Sequence, residues 1–196
     1  MSDALPGPDG RLRCPWALSA PDYLEYHDTE WGRPVTSVDG LYERLTLEAF
    51  QSGLSWITIL RKRESFRRAF AGFDPVVVAA FDAADEERLL SDPGIVRNRA
   101  KIEAAIGNAR VVAELGQGFA DLVLSHRVLN RPRPTAADWR ATSPESVALA
   151  KALKRAGIRF VGPTTAYALM QAVGLVDDHL VDCWVPPLEL SAVTGR

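Results

Sequence analysis

The stretch Leu47-Glu48-Ala49-Phe50-Gln51-Ser52-Gly53-Leu54-Ser55-Trp56 carries a helix with one carboxylate into a glycine-containing break and out again at an aromatic. Read as a helix from about Val38 to Ser52, it places Leu41, Leu45 and Glu48 at i, i+4 and i+7, on one apolar stripe. Leu47 and Phe50 fall on the opposite side, so the spacing predicts a helix buried on both faces. A carboxylate in such a place is costly unless it is hydrogen-bonded or paired, and groups perturbed in this way concentrate at functional sites. On the helix alone, an acid that caps a backbone group or pairs with an arginine reads the same way. The neighbours shift the balance: Trp16, Tyr26 and Trp31 lie upstream and Trp56 follows directly, so three of the five tryptophans stand at or before Trp56.

Outward from this segment the punctuation is helical. Ser55 is placed to cap a helix through about Phe70, and Asp74-Pro75 reads as an N-cap with proline at the first helical position, starting a short helix through about Phe81. Ala84 to Leu90 and Asn98 to about Leu115 follow, the latter stopped by Gly116. Residues 127–142, with Pro132 and Pro134 and few apolar side chains, read as a connector between lobes. Ser143-Pro144 repeats the cap-plus-proline pattern for a helix ending at Gly157, and the segment after Gly162 forms another, ending at Gly174. Lys151 to Ala172 is then helix, tight turn, helix, and the second helix N-terminus is suited to one DNA phosphate or to nothing at all. Neither alternating strands nor a long repeat stands out, and the chain reads as all-α. Residues 1–10 read as a loose tail and 11–196 as a single helical domain of two lobes.

At 196 residues, 47% hydrophobic and 24% charged, the chain has length for one sizeable core. No apolar run approaches the ~18 residues of a membrane helix and no basic-then-apolar leader opens the chain, so the expectation is a cytoplasmic protein with no membrane partner. A formal net charge of -2 does not advertise nucleic-acid binding. Local clusters matter more: Arg61-Lys62-Arg63 with Arg67-Arg68, then Arg97, Arg99 and Lys101, then Lys151, Lys154, Arg155 and Arg159, each able to meet phosphates or simply to solvate a helix face.

The chain has two cysteines and three histidines. Cys14 and His27 stand near one end; His179 and Cys183 stand near the other at i and i+4, read as one face of a helical turn. Together they form a Cys2His2 set suited to one structural zinc ion that ties the N-terminal segment to the C-terminal one. Two unrelated pairs would show the same spacing.

Several segments in order resemble the 3-methyladenine DNA glycosylase I family: Cys14-Pro15-Trp16, Tyr26-His27-Asp28-Thr29-Glu30-Trp31-Gly32, Leu47-Glu48 through Trp56, Gly94-Ile95, Lys101-Ile102, Asn108-Ala109, Phe160-Val161-Gly162, Tyr167, Met170-Gln171-Ala172 and Asp178-His179. The likeness spans Cys14 to Cys183. It implies a helix-hairpin-helix glycosylase with a zinc clasp at Cys14, His27, His179 and Cys183, acting as a monomer on double-stranded alkylated DNA. It assigns Glu48 the catalytic role, Tyr26, Trp56, Trp16 and Trp31 the base pocket, and Gly53, Leu54 and Ser55 the DNA-probing loop. The departure lies in Leu122 to Pro134, where the family pattern is aromatic-rich and this chain has Leu124-Ser125-His126-Arg127.

Overall fold

The computed structural model describes residues 3–128 and 131–187. Its described helices are α1 Pro21–Thr29, α2 Val38–Gln51, α3 Trp56–Ala69, α4 Pro75–Ala79, α5 Ala83–Ser91, α6 Arg99–Leu115, α7 Gln117–Leu124, α8 Pro144–Arg155 and α9 Pro163–Ala172. Local chemistry sets most of the starts. Ser37 accepts from Gly40 N at α2, Asp74 from Val76 N and Val77 N at α4, and Asn98 from Lys101 N at α6. Capping boxes open α5 at Asp82 and α8 at Ser143. Ser55 occupies the cap position of α3 but does not bond its backbone; its hydroxyl instead meets Thr58 Oγ1 at 2.9 Å.

Helix α2 is the axle. It lies against α3, α6, α7 and α9, and every residue from Leu45 to Phe50 is buried, as expected for a helix with no free face. Phe50 packs on Phe66 and Phe70, and Tyr42 donates its hydroxyl to Ala105 O at 3.0 Å. The end of α2 is finished by Lys101, whose ammonium reaches across from α6 to donate to Phe50 O at 2.9 Å and Ser52 O at 2.6 Å. Sequence leaves Lys101 to a phosphate or to a solvated helix face; it is instead buried, filling the role of a helix C-cap.

Two expectations are corrected. The stretch expected as a loose tail, residues 1–10, contains an ordered strand, because Leu5–Pro6 (β1) pairs antiparallel with Leu12–Arg13 (β2). Arg13 binds both Asp9 and Asp28, which fixes this ribbon to α1. The pairing escapes a search for alternation because each strand is only two residues long. His179 and Cys183 do not share a helical turn either; α9 ends at Ala172 and the chain runs on through open turns, with Cys183 N bonded to Leu180 O at 2.9 Å. The aromatic-rich segment before α2 also gains order: a 3-10 turn at Pro15–Ser19 leads into α1, a helix with no apolar stripe to announce it.

Candidate active site

The N-terminal turn, α1, α2 and α3 converge on a cavity of about 390 Å³, inside the ~300–1,000 Å³ typical of small-molecule sites. Glu48 stands in its wall together with Trp16, Tyr26, Trp31 and Trp56. The rings make a continuous aromatic enclosure: Tyr26 and Trp56 lie 5.5 Å apart between centroids and tilted by 46°, and Trp16 meets Trp31 edge to face at 5.0 Å. The structure thus gathers into one place the carboxylate and all four aromatics singled out from sequence.

Glu48 is 5% exposed, and its Oε2 is fully buried with no hydrogen-bond partner. Trp56 Nε1 is likewise buried and unpartnered. Orphaned polar atoms in a folded protein carry a real cost, and two of them on the wall of one cavity mark where a polar ligand completes the set. Burial pushes the Glu48 carboxyl up to about 8, against a smaller opposing pull from Arg44 one helical turn earlier. Arg44 is already engaged, donating to Glu30 at 3.2 Å and to Glu43 at 2.9 Å, and Arg63 clamps Glu30 through both guanidinium nitrogens. The free site therefore holds a neutral acid at neutral pH, poised to ionise when a positive charge arrives.

The glycine break expected to probe DNA forms an exposed turn between α2 and α3. Gly53 has φ +82°, which a side chain would strain, and Leu54 N donates to Gln51 O at 2.6 Å. Leu54 projects into solvent at 43% exposure, flanked by exposed Gly53 and Ser55. The turn is anchored at its root by the Lys101 bonds to Phe50 and Ser52.

Six residues lining the cavity carry no site assignment from sequence: Tyr23, Gln51, Trp139, Arg140, Ala168 and Gln171. Tyr23 lines it and accepts from Ile57 N at 2.8 Å, satisfying a donor in the first turn of α3. Gln171 lines the far side and donates to Asp178 at 2.8 Å. Trp139 and Arg140, at the end of the connector, close the remaining side. Gln171 falls in Met170-Gln171-Ala172, one of the segments of the family likeness, and Tyr23 stands within the aromatic-rich stretch, so both carry a signal without an assigned role.

Near the chain ends, Cys14 Sγ, Cys183 Sγ and one His27 nitrogen lie within 4.8 Å of one another, all buried. His179 is beside them rather than among them, its ring 5.0 Å from that of His27. Both imidazoles have Nδ1 held by a carboxylate, His27 by Asp28 at 2.8 Å and His179 by Asp177 at 2.9 Å, which leaves Nε2 on the inner side. His179 Nε2 is buried and unpartnered. Gly32 is required here, since a Cβ on it would lie 2.8 Å from the His179 ring. Asp178, by contrast, is absorbed in structure: Tyr167 donates to it at 2.6 Å and Arg131 pairs with it at 3.1 Å.

The basic clusters divide. Arg63 and Arg67 are tied to acids, Arg61 pairs with Asp22, and Arg99 pairs with Glu87. Lys151, Lys154, Arg155 and Arg159 remain on the exposed side of α8 and the turn after it. That turn is braced from α6 by Asn108, whose amide donates to Arg159 O at 3.0 Å and accepts from Arg159 N at 2.8 Å.

Fold and cavity together define a class: helical proteins with a cavity walled by aromatic rings and a buried carboxylate. Within it, the chain belongs to the methyladenine glycosylase family, whose model matches residues 16–186. It is 48% identical over 182 residues to DNA-3-methyladenine glycosylase 1 of Escherichia coli strain K12, covering 89% of this chain and 97% of that protein. It is 44% identical to DNA-3-methyladenine glycosylase of Haemophilus influenzae, covering 87% and 96%. A crystal structure of 3-methyladenine DNA glycosylase I superposes with a TM-score of 0.83 at 46% identity, covering 89% of this chain and all of that one. The Staphylococcus aureus 3-methyladenine DNA glycosylase I, whose structure addresses 3-methyladenine recognition, gives 0.82 at 36% identity, covering 90% and 97%.

The raised Glu48 carboxyl has a consequence for stability. Below about 4.5 the acid is protonated folded and unfolded alike, and between that value and about 8 only the unfolded chain releases the proton, so stability falls as pH rises through this window. Glu48→Gln removes the loss. In denaturant unfolding the variant should match wild type at the acid end and exceed it by up to about 5 kcal/mol at the alkaline end, each tenfold change in an acid's ionisation constant being worth about 1.4 kcal/mol. Equal stability at every pH would contradict a neutral, buried Glu48.

Proposed function

We infer that the protein is a monofunctional DNA glycosylase that extrudes N3-methyladenine from alkylated duplex DNA and hydrolyses its N-glycosidic bond. The observation that carries this reading is Glu48, buried with an unpartnered oxygen inside an aromatic cavity. A base inside a duplex must be rotated out before its bond can be reached, at a cost of a few kcal/mol in unstacking. Leu54, apolar and exposed on a turn with small neighbours, is suited to fill the gap left in the stack. The extruded ring carries delocalised positive charge, which the faces of Trp56, Trp16, Tyr26 and Trp31 attract and the ionised Glu48 balances.

The chemistry asks little acid help. N3-methylation already makes the base a good leaving group, so water replaces it at C1′, neutral 3-methyladenine departs and the water gives up a proton. Positive charge leaves the ring as the bond breaks, so a carboxylate at the base edge acts most in selecting and holding the extruded nucleotide. Among the described residues no lysine lines the cavity, and the Lys101 ammonium is engaged in capping α2, which argues against an imine intermediate and strand cleavage.

DNA would be gripped at the α8–α9 turn as a helix-hairpin-helix element. The first-turn amides of α9 suit one phosphate, and Arg155 and Arg159, both exposed, supply positive charge. One zinc ion would join the chain ends through Cys14, His27, His179 and Cys183. Three of these donors already cluster, and the unpartnered His179 Nε2 fits a fourth position. Asp28 and Asp177 orient the rings as carboxylates behind metal-bound histidines do. Zinc bound there contributes folding energy and takes no part in the reaction. With DNA as substrate, the protein would work as a monomer in the cytoplasm.

Excision should be narrow. Adenine offers its N6 amino group where guanine presents the O6 acceptor, and an ionised carboxylate can only accept. Leaving Glu48 opposite an acceptor costs roughly 1 to 3 kcal/mol, about ten-fold to over a hundred-fold in discrimination. Chromatography of bases freed from methylated DNA should therefore show N3-methyladenine released far faster than N7-methylguanine, with the folded Glu48→Gln variant losing most of that release. Comparable release of both purines would favour a broad-range alkyl-base glycosylase, and release of neither a non-catalytic DNA-binding module.

For the clasp, metal analysis of freshly purified protein should find one zinc per chain. Cys183→Ala should lose several kcal/mol of stability, because binding energy at such a site is folding energy. Metal-free, fully stable protein would exclude it.

A further inference from the structure

We propose that Trp139 and Arg140 complete the site, Trp139 as the closing wall against the extruded base and Arg140 as the contact to a phosphate beside it. This deepens the glycosylase reading and rests on it. Both residues line the cavity, from the connector rather than from the helices that supply the other walls. Trp139 is 39% exposed and belongs to neither apolar core cluster. An indole left half in water on an otherwise polar turn has an unused apolar face, and the space it borders is the one in which a heterocycle would sit.

The backbone under the pair is held firmly. Asp138 accepts from Thr135 N at 2.9 Å and from its hydroxyl at 2.7 Å, and the 3-10 turn Ala136–Asp138 is tied to the N-terminal ribbon by Ala136 N donating to Asp3 at 2.8 Å. Pro134 O accepts from Val181 N at 3.0 Å, linking the same turn to the C-terminal segment. An aromatic presented on so braced a turn costs little further ordering when it stacks. The connector of this chain lacks the aromatics of the family pattern in Leu122 to Pro134, and Trp139 brings a ring to the cavity from a few residues further on.

Charge separates the roles of the two neighbours. Arg140 is exposed, makes no ion pair among the described residues, and donates through Nε to Asp138 O at 3.3 Å. A guanidinium at the mouth repels a cationic ring, so its partner at this place is an anion, and the anion carried next to an extruded base is the DNA phosphate. Trp139 then reads the ring and Arg140 the backbone.

The test separates ring from backbone with two probes. Free 3-methyladenine reports the wall, and an oligonucleotide duplex with an abasic site reports the phosphate contact. Trp139→Ala should bind the base roughly ten-fold more weakly, within the range of single aromatic–base stacks, with excision falling in step; Trp139→Phe should recover most of the loss, and abasic-duplex affinity should change little. Arg140→Ala should leave base affinity intact and reduce by about one the slope of log affinity against log salt for the abasic duplex. Base binding and excision by Trp139→Ala equal to an active wild type would overturn the wall while sparing the glycosylase reading. An unchanged salt slope in Arg140→Ala would overturn the phosphate contact, and a wild type that neither binds nor releases the base would overturn both the inference and the reading beneath it.

Discussion

A carboxylate without a counter-ion of its own, buried in the middle of α2, is the constraint around which the molecule is arranged. Removing Glu48 from water raises its carboxyl and leaves one oxygen without a partner. The fold tolerates this because the rest of α2 is anchored with unusual thoroughness. Leu45, Leu47 and Phe50 are wholly buried, and Lys101 secures the carbonyls at the helix end. Arg44, the arginine whose charge reaches Glu48, is held elsewhere, converging with Arg63 on Glu30. Strain of this kind at one residue, offset by packing around it, is the usual price of a prepared site.

The chain ends serve the same purpose from outside. The cluster of Cys14, His27 and Cys183 lies against Trp16, whose ring is 5.3 Å from His27, and Trp31 stacks on His27 and meets His179 edge to face at 4.7 Å. Two walls of the cavity are therefore set by the same side chains that bring the termini together. The ribbon β1–β2 adds to this through Arg13 and Asp28, and Asp28 in turn orients His27. Cavity and the Cys14–His27–Cys183 cluster form one continuous structure, so loosening either should be felt in the other.

Much of this is legible in the sequence, for a physical reason. Helix periodicity and capping are local, so α2, α3, α4, α5, α6, α8 and α9 can be read from spacing, and Glu48 stands out because a charge on an apolar stripe is anomalous wherever the helix packs. The gathering of four aromatics around that charge follows from their family pattern and is realised in the cavity. What escapes is non-local or very short. A two-residue pairing of Leu5–Pro6 with Leu12–Arg13 has no periodicity to detect. Lys101 as a cap on a helix far away in sequence looks like any surface lysine until the fold is known. The i, i+4 spacing of His179 and Cys183 suggests a helical turn, yet α9 stops at Ala172 and the pair is brought to Cys14 and His27 by open turns. Trp139 and Arg140 stay hidden because a proline-rich connector carries no pattern that says which way it faces.

The account stands on a neutral Glu48 that ionises to meet a cationic ring, and one binding measurement reaches that directly. The 3,9-dimethyladeninium ion carries the positive charge of the damaged nucleotide without a bond to hydrolyse. Calorimetric titration in buffers of different ionisation enthalpy counts the protons exchanged as it binds. Below about 8, where burial keeps Glu48 protonated, close to one proton should be released per cation bound, affinity should rise with pH to a plateau above that value, and Glu48→Gln should abolish the release. Binding with no proton released and no pH dependence would mean that the carboxylate is already ionised in the free protein, and the central claim would fall.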